Sequence, residues 1–204
     1  IYIGFYSLSL KEVFFTLLNP MFNNTLINPS PQALTIIYNI RLPRILSALM
    51  IGSALSVSGA AYQGMFRNPL VSPDILGVSS GAGFGAALSI SLGLPYYQVQ
   101  FFAFIGGITV VFLTNFISKK MKFNQIVNLI LIGTMLNAVC TSLIALLKYI
   151  ADTNDTLPAI TFWLMGSLSK ITKEGLVFTI IPMLVGFIII YIMRWKINIL
   201  TLGD

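Results

Sequence analysis

The sequence predicts an all-α fold: a polytopic transmembrane helical bundle of five spans, a stub of an earlier span and one short re-entrant or interfacial helix. The 204 residues are 56% hydrophobic and only 9% charged. Soluble domains usually carry about 25% charged residues, so this chain could not cover a water-facing surface. Its long uncharged runs alternate with Lys and Arg, as in membrane spans flanked by cations.

Five apolar runs approach or reach the roughly twenty residues that a spanning helix needs. They are residues 45–66, 75–92, 99–118, 124–147 and 175–193.

Two other segments are not expected to cross. Residues 11–39 contain Asn-Pro, Asn-Asn and Pro-Ser-Pro sequences, which predict a surface loop with one short helix. Residues 159–168 are apolar but too short to span, which predicts the interfacial or re-entrant helix. Residues 1–10 are apolar but too short to span, and they are interpreted as the end of an earlier span. The whole of 1–204 is therefore interpreted as one incomplete membrane domain.

Composition also excludes several classes of function. The net charge is +6, but the cations flank apolar runs, which favours a lipid membrane and not nucleic acid as partner. The chain has no histidine and one cysteine, Cys140, so no metal site is predicted.

The sequence contains no nucleophile–base pair that would indicate an enzyme, and no catalytic residue is assigned. No Asp, Glu, Lys, Arg or His lies inside a predicted span, which disfavours an ion-coupled carrier. No nucleotide-binding motif is present, so transport energy would come from another chain.

Two arginines stand at one end of the first predicted span. Pro43 suits the opening turn of a helix, which places Arg41 and Arg44 at i and i+3 on one surface. They could pair with carboxylates of a partner protein, or reach lipid headgroups. Counting cations does not settle the orientation, but Lys119-Lys120-Met121-Lys122 favours a cytoplasmic location for the opposite side.

Two further patterns lie inside the spans. Gly77, Gly81 and Gly85 repeat every four residues, which predicts close helix packing. The polar stripe of Thr134, Asn137 and Thr141 follows one face of the fourth span. It could line a substrate path or form hydrogen bonds between helices.

Three blocks of residues resemble a known family. They are Ile40-Arg41-Leu42-Pro43-Arg44, Arg67-Asn68-Pro69-Leu70 and Leu76-Gly77-Val78-Ser79-Ser80-Gly81-Ala82. These closely resemble the FecCD-type permeases, the membrane subunits of ABC importers for iron–siderophores, haem and cobalamin. Trp163-Leu164-Met165-Gly166 is similar to the family's Trp-x-Met-Gly element.

The resemblance implies a permease that translocates an iron complex or cobalamin received from an external substrate-binding protein. It implies two cytoplasmic ATPase subunits, which bind the ATP, and a second permease copy in a homodimer or pseudo-dimer. No cofactor is expected in this chain. The implied location is the prokaryotic plasma membrane, crossed several times. Family members have about ten spans, so further spans are expected beyond this chain.

The resemblance also gives roles to residues. Arg41 and Arg44 would dock the binding protein, and Thr134, Asn137 and Thr141 would line the translocation pathway. Asn124 and Gln125 would belong to the cytoplasmic gate region. The alternative from a different class is a non-transporting membrane scaffold or interaction protein of related fold.

Overall fold

The computed structural model describes residues 8–18, 30–121, 124–169 and 171–202, and every regular element among them is helical. The helices are α1 (Leu10–Leu18), α2 (Pro31–Thr35), α3 (Leu42–Phe66), α4 (Val78–Ser91), α5 (Tyr96–Ser118), α6 (Gln125–Ile150), α7 (Thr156–Met165) and α8 (Lys173–Leu202). The all-α prediction is confirmed.

Four helical segments in the described part of the chain are long and apolar enough to cross a membrane. They are Pro31–Phe66, Tyr96–Ser118, Ile126–Ile150 and Gly175–Thr201. The last of these, within α8, continues well past residue 193, where the sequence had predicted the end of the fifth span. The short helix predicted at 159–168 corresponds to α7, which is shifted three residues toward the N-terminus, and its interfacial or re-entrant location stays a prediction.

The segment predicted as a surface loop is more helical than expected. Residues 19–29 lie outside the described residues, but α1 precedes them and a helix begins directly after them. Ser30 caps that helix, because its hydroxyl accepts a hydrogen bond from the Ala33 amide at 3.2 Å. Pro31 occupies the first helical position, where a missing N–H costs nothing. The Ser-Pro pair therefore starts a helix here and does not end one.

Pro43 does not open a helix, which corrects the sequence-based expectation. It is the second residue of α3, and a π-helical turn, Ile36–Arg41, connects α2 directly to α3. A proline inside a helix has no N–H and its ring crowds the carbonyl four residues earlier. The wider turn relieves this crowding, and the Leu42 amide bonds the Ile37 carbonyl five residues back.

The second predicted span, 75–92, is shorter than expected. Residues Pro73–Leu76 form a 3₁₀ turn, and Gly77 has a φ of +75°, so the α-helix starts only at Val78. Its fourteen residues extend about 21 Å, less than the roughly 30 Å of a bilayer core. The carboxylate of Asp74 accepts a hydrogen bond from the Ser79 amide at 3.2 Å and so caps this new start.

The chain divides into two compact units, and the first comprises Ile1–Ser56 and Leu168–Ile192. Its described core joins α1 to the start of the long helical segment through four buried side chains: Leu8, Val13, Ala33 and Ile37. The Tyr38 hydroxyl donates to the Thr16 carbonyl at 2.8 Å, at the end of α1. The Lys173 ammonium lies 5.9 Å from the centre of the Tyr38 ring, which brings the start of α8 to the same place.

The second unit comprises Val57–Ser167 and Met193–Asp204, and the short helix α4 lies at its centre. Helix α4 packs against α5, α6 and α7. Ala86, Val99 and Ala103 form a buried cluster between α4 and α5, with Trp163 of α7 packed against it.

Glycines allow the α4 and α5 backbones to meet. A Cβ atom added at Gly81 would lie 2.7 Å from the Gly106 carbonyl oxygen and 2.5 Å from a Val110 methyl group. At Gly85 it would overlap the Phe102 carbonyl. Gly77 differs from these two because it precedes the helix and needs its left-handed backbone conformation.

We predict that Gly81→Ala destabilises the protein, whereas Gly52→Ala does not. The new methyl group at position 81 would meet backbone that cannot move aside, and such overpacking costs about 1–3 kcal/mol. A Cβ added at Gly52 has no atom of another described residue outside its own helix turn within 4 Å, so alanine there should be neutral or stabilising by about 0.5–1 kcal/mol through helix propensity. Thermal unfolding of both variants in mild detergent measures the difference, and equal stabilities would contradict the packing described for α4.

Candidate translocation and docking residues

Arg41 and Arg44 flank Pro43 at the beginning of α3, and both are half-buried. Arg41 is the last residue of the π-helical turn, and Arg44 belongs to the first turn of α3. A terminal guanidinium nitrogen of Arg44 donates to the Ser169 carbonyl at 2.7 Å. One role of Arg44 is thus internal: it ties this end of α3 to the connection between α7 and α8.

The polar stripe on α6 is exposed along its whole length. Thr134, Asn137 and Thr141 are all exposed. The Thr134 and Thr141 hydroxyls donate to the carbonyls of Leu131 and Asn137, both at 2.8 Å, within the same helix. These two hydroxyls are therefore satisfied locally while their side chains stay on the surface of this chain.

The buried face of α6 is a different one. Asn128, Ile132 and Cys140 are the buried side chains of this helix among those described, with at most 6% exposure. At about 100° per residue, their face lies roughly opposite the polar stripe. The stripe therefore does not contribute to the core that α6 forms with α4 and α5.

The predicted gate residues lie at the start of α6. Asn124 is the N-cap of the helix, and its side-chain oxygen accepts a hydrogen bond from the Ile126 amide at 3.0 Å. Such a cap typically contributes about 1 kcal/mol of stability. Gln125 is the first residue of the helix, and its side chain lies outside the described part. Asn124 thus has a structural role, and the gate assignment stays a prediction.

Sequence reasoning missed one polar contact at the other end of α3. The Arg67 Nε donates to the Leu200 carbonyl at 3.0 Å, in the last turn of α8. The last carbonyls of a helix have no partner within it, and a cation there also suits the helix dipole. Nearby, a Cβ added at Gly64 would lie 2.9 Å from a Thr201 methyl group. The Arg-Asn-Pro sequence marked the end of a span but gave no sign of this partner 133 residues away.

The described residues offer no cluster of three or more His, Cys, Asp or Glu side chains that could hold a metal ion. The exposed face of α6 instead offers the hydroxyl groups of Thr134 and Thr141 and the amide of Asn137. Groups of this kind can accept or donate weak hydrogen bonds, but they carry no charge.

The whole chain, residues 1–204, matches the FecCD transport family. It is 41% identical over 208 residues to the molybdate import system permease protein MolB of Haemophilus influenzae, covering 99% of this chain and 59% of MolB. It is 37% identical over 199 residues to a probable iron chelatin transport system permease protein of Helicobacter pylori, covering 97% and 60%.

Two further similarities agree with this match. The hemin transport system permease protein HmuU of Yersinia pestis is 36% identical over 172 residues, covering 81% of this chain and 51% of HmuU. A solved structure described as an inward-facing ABC transporter of the metal-chelate type matches with a TM-score of 0.81 and 37% identity, over 99% of this chain and 59% of that one. The chain thus spans about three fifths of the first relatives, is a multi-pass membrane protein, and belongs to the FecCD transport family.

Proposed function

We propose that this chain is part of the permease subunit of an ABC importer in a prokaryotic plasma membrane. Its energy would come from separate cytoplasmic ATPase subunits, and its cargo from an external substrate-binding protein. The observation that supports this best is the match to the FecCD transport family over the whole chain. A second permease copy would complete the pathway, as a homodimer or a pseudo-dimer.

The exposed stripe on α6 supports a role in translocation. Thr134, Asn137 and Thr141 lie on the face opposite the buried side chains of their helix. The two threonine hydroxyls bond their own helix, but the polar side-chain amide of Asn137 is unfavourable against lipid, so this face is better placed beside water or another protein surface. A pathway between two permease copies would supply that surface.

The proposed cargo is an iron complex, a siderophore or haem, or cobalamin. Relatives are named for iron chelatin and hemin. Molybdate is a second candidate, because a relative with 41% identity is named for its import. Uncharged hydroxyl and amide groups would bind a cargo weakly and would not discriminate by its charge. This face would therefore let a cargo pass without selecting it. Selection would then rest with the binding protein.

The proposal is tested on the complete protein that contains this chain. It is co-expressed with the products of its neighbouring genes, purified in mild detergent and assayed for a bound ATPase. Uptake of a labelled iron chelate, haem, cobalamin and molybdate into vesicles is then compared. A stoichiometric ATPase and ATP-dependent uptake are expected. Purification without any ATPase would favour the alternative, a non-transporting scaffold of related fold.

We predict that Arg41→Glu combined with Arg44→Glu weakens docking of the external binding protein by at least about tenfold at low salt. The family resemblance implies acidic residues on the two lobes of the binding protein, so glutamates at these positions would repel them where arginines attract them. Binding of the labelled binding protein to the detergent-purified complex measures the effect. Some loss of thermal stability is expected too, because Arg44 also bonds the Ser169 carbonyl.

The matched control is Lys11→Glu with Lys148→Glu, which changes the net charge by the same amount at two cations elsewhere in the chain. It should leave docking almost unchanged. Arg44→Lys keeps the charge but loses the planar fork, so it separates the internal bond from the docking charge. Unchanged docking in the double arginine variant would refute this role and leave headgroup anchoring.

We predict that Thr141→Val lowers the rate of cargo uptake about fivefold without lowering stability, the effect of one lost hydrogen bond of about 1 kcal/mol. Among the described residues the Thr141 hydroxyl bonds its own helix, so valine should fold equally well. The neighbouring Ser142 hydroxyl also bonds its own helix, at 2.9 Å, but lies outside the stripe. Ser142→Ala is therefore the control, and equal uptake by the two variants would argue against a pathway along this stripe.

A further inference from the structure

An open apolar groove of about 320 Å³ runs along α5 in the second unit. Its lining residues are Val78, Gly107, Ile108, Val111, Phe112 and Asn115. A Cβ added at Gly107 would be in ordinary van der Waals contact with a Val78 methyl group, at 3.4 Å, so the glycine leaves that part of the groove open. Most of the α5 side chains involved repeat at i, i+3 or i+4, so the groove follows one face of the helix toward its C-terminal end.

That end of the groove leads to two cations. Lys119 is one turn beyond Asn115 on the same helical face, and its amide bonds the Asn115 carbonyl at 3.1 Å. The Lys120 ammonium lies 4.4 Å from the centre of the Phe116 ring. Both lysines are exposed. The apolar surface therefore ends in positive charge within one helical turn.

The rest of α5 shows that this face suits a bilayer. Tyr96 and Tyr97 stand at its N-terminal end, and the 23 residues of the helix extend about 35 Å, enough to cross the hydrocarbon core. Large apolar side chains are exposed between the two ends: Phe101, Phe104, Ile108 and Phe112 are each more than half exposed. Aromatic residues at one interface and lysines at the other are typical of a lipid-facing span.

We propose that this groove is a binding site for an anionic phospholipid. One acyl chain lies along Gly107, Val111 and Phe112, and the phosphate is held by Lys119, which continues the groove face, with the charge of Lys120 beside it over the Phe116 ring. The volume is within the range of about 300–1,000 Å³ that ligand pockets occupy. The Lys119–Lys122 sequence is predicted to be cytoplasmic, and the cytoplasmic leaflet carries the anionic lipids that attract such clusters.

The positive charge at the end of the groove favours a lipid over another protein helix as the occupant of the groove. A packed protein helix would be expected to cover the apolar face and leave the lysines to water. An anionic phospholipid satisfies both parts at once, because its acyl chain is apolar and its phosphate is negative where the groove ends. Asn115 lies between the two parts and offers an amide to the ester region.

The test uses the complete protein and phosphatidylglycerol, with phosphatidylcholine as the uncharged comparison. Native mass spectrometry of the detergent-solubilised protein titrated with each lipid gives the affinities. Lys119→Gln with Lys120→Gln should weaken phosphatidylglycerol binding roughly 30-fold and leave phosphatidylcholine nearly unchanged. Lys11→Gln with Lys148→Gln makes the same change of net charge elsewhere and should have little effect on either lipid.

A second measurement locates the lipid. Phosphatidylglycerol with a photoreactive acyl chain should crosslink to α5 between residues 107 and 116, and Val111→Trp, which fills the groove, should abolish those products. Two results would overturn the proposal. One is equal loss of affinity in the two double lysine variants. The other is an absence of crosslinks to α5, which would mean that another part of the protein or a second copy covers the groove.

Discussion

The close approach of α4 to α5 is the constraint on which the second unit depends. The backbones meet at Gly81, Gly85 and Gly106, where even one added methyl group would collide with a carbonyl. Between helices in lipid, water does not drive association, so such close contact and its dispersion energy must supply the stability. Helix α4 is too short to span a bilayer alone. Its position therefore depends on its packing against the longer helices α5 and α6. The α6 face that carries the polar stripe remains outside this core.

The opposite ends of α3 are each fixed by an arginine that reaches a backbone carbonyl. Arg44 bonds Ser169 in the first unit, and Arg67 bonds Leu200 in the second. A guanidinium has five donors, so one bond inside the chain leaves others for a partner. An arginine at such a position can therefore hold the protein together and still present charge at the surface. This matters for the docking proposal, because it separates the structural role of Arg44 from its charge.

Much of the architecture could be predicted from hydropathy and cations, since membrane length and composition are properties of contiguous residues. The all-α class and four long apolar helices follow from that signal. The predicted helix boundaries were wrong where one or two residues determine at which position a helix begins. Gly77 starts α4 later than its apolar run suggests, and Ser30-Pro31 begins a helix within a sequence typical of turns. Among the candidate site residues, the exposed face of α6 follows from periodicity. The Arg44 and Arg67 contacts join residues 125 and 133 positions apart, which no local pattern can reveal.

The π-helical turn before Pro43 has a consequence for the evolution of this region. Such a turn contains one residue more than an α-helical turn, so the residues before and after it are out of α-helical register by about 100°. Removing one residue between Ile36 and Arg41 would convert this turn to an α-helical one, with Arg44 and the long apolar helix beyond it retained. Related chains that differ in length by one residue here would therefore keep the same membrane helix, and an alignment gap at this place is physically reasonable.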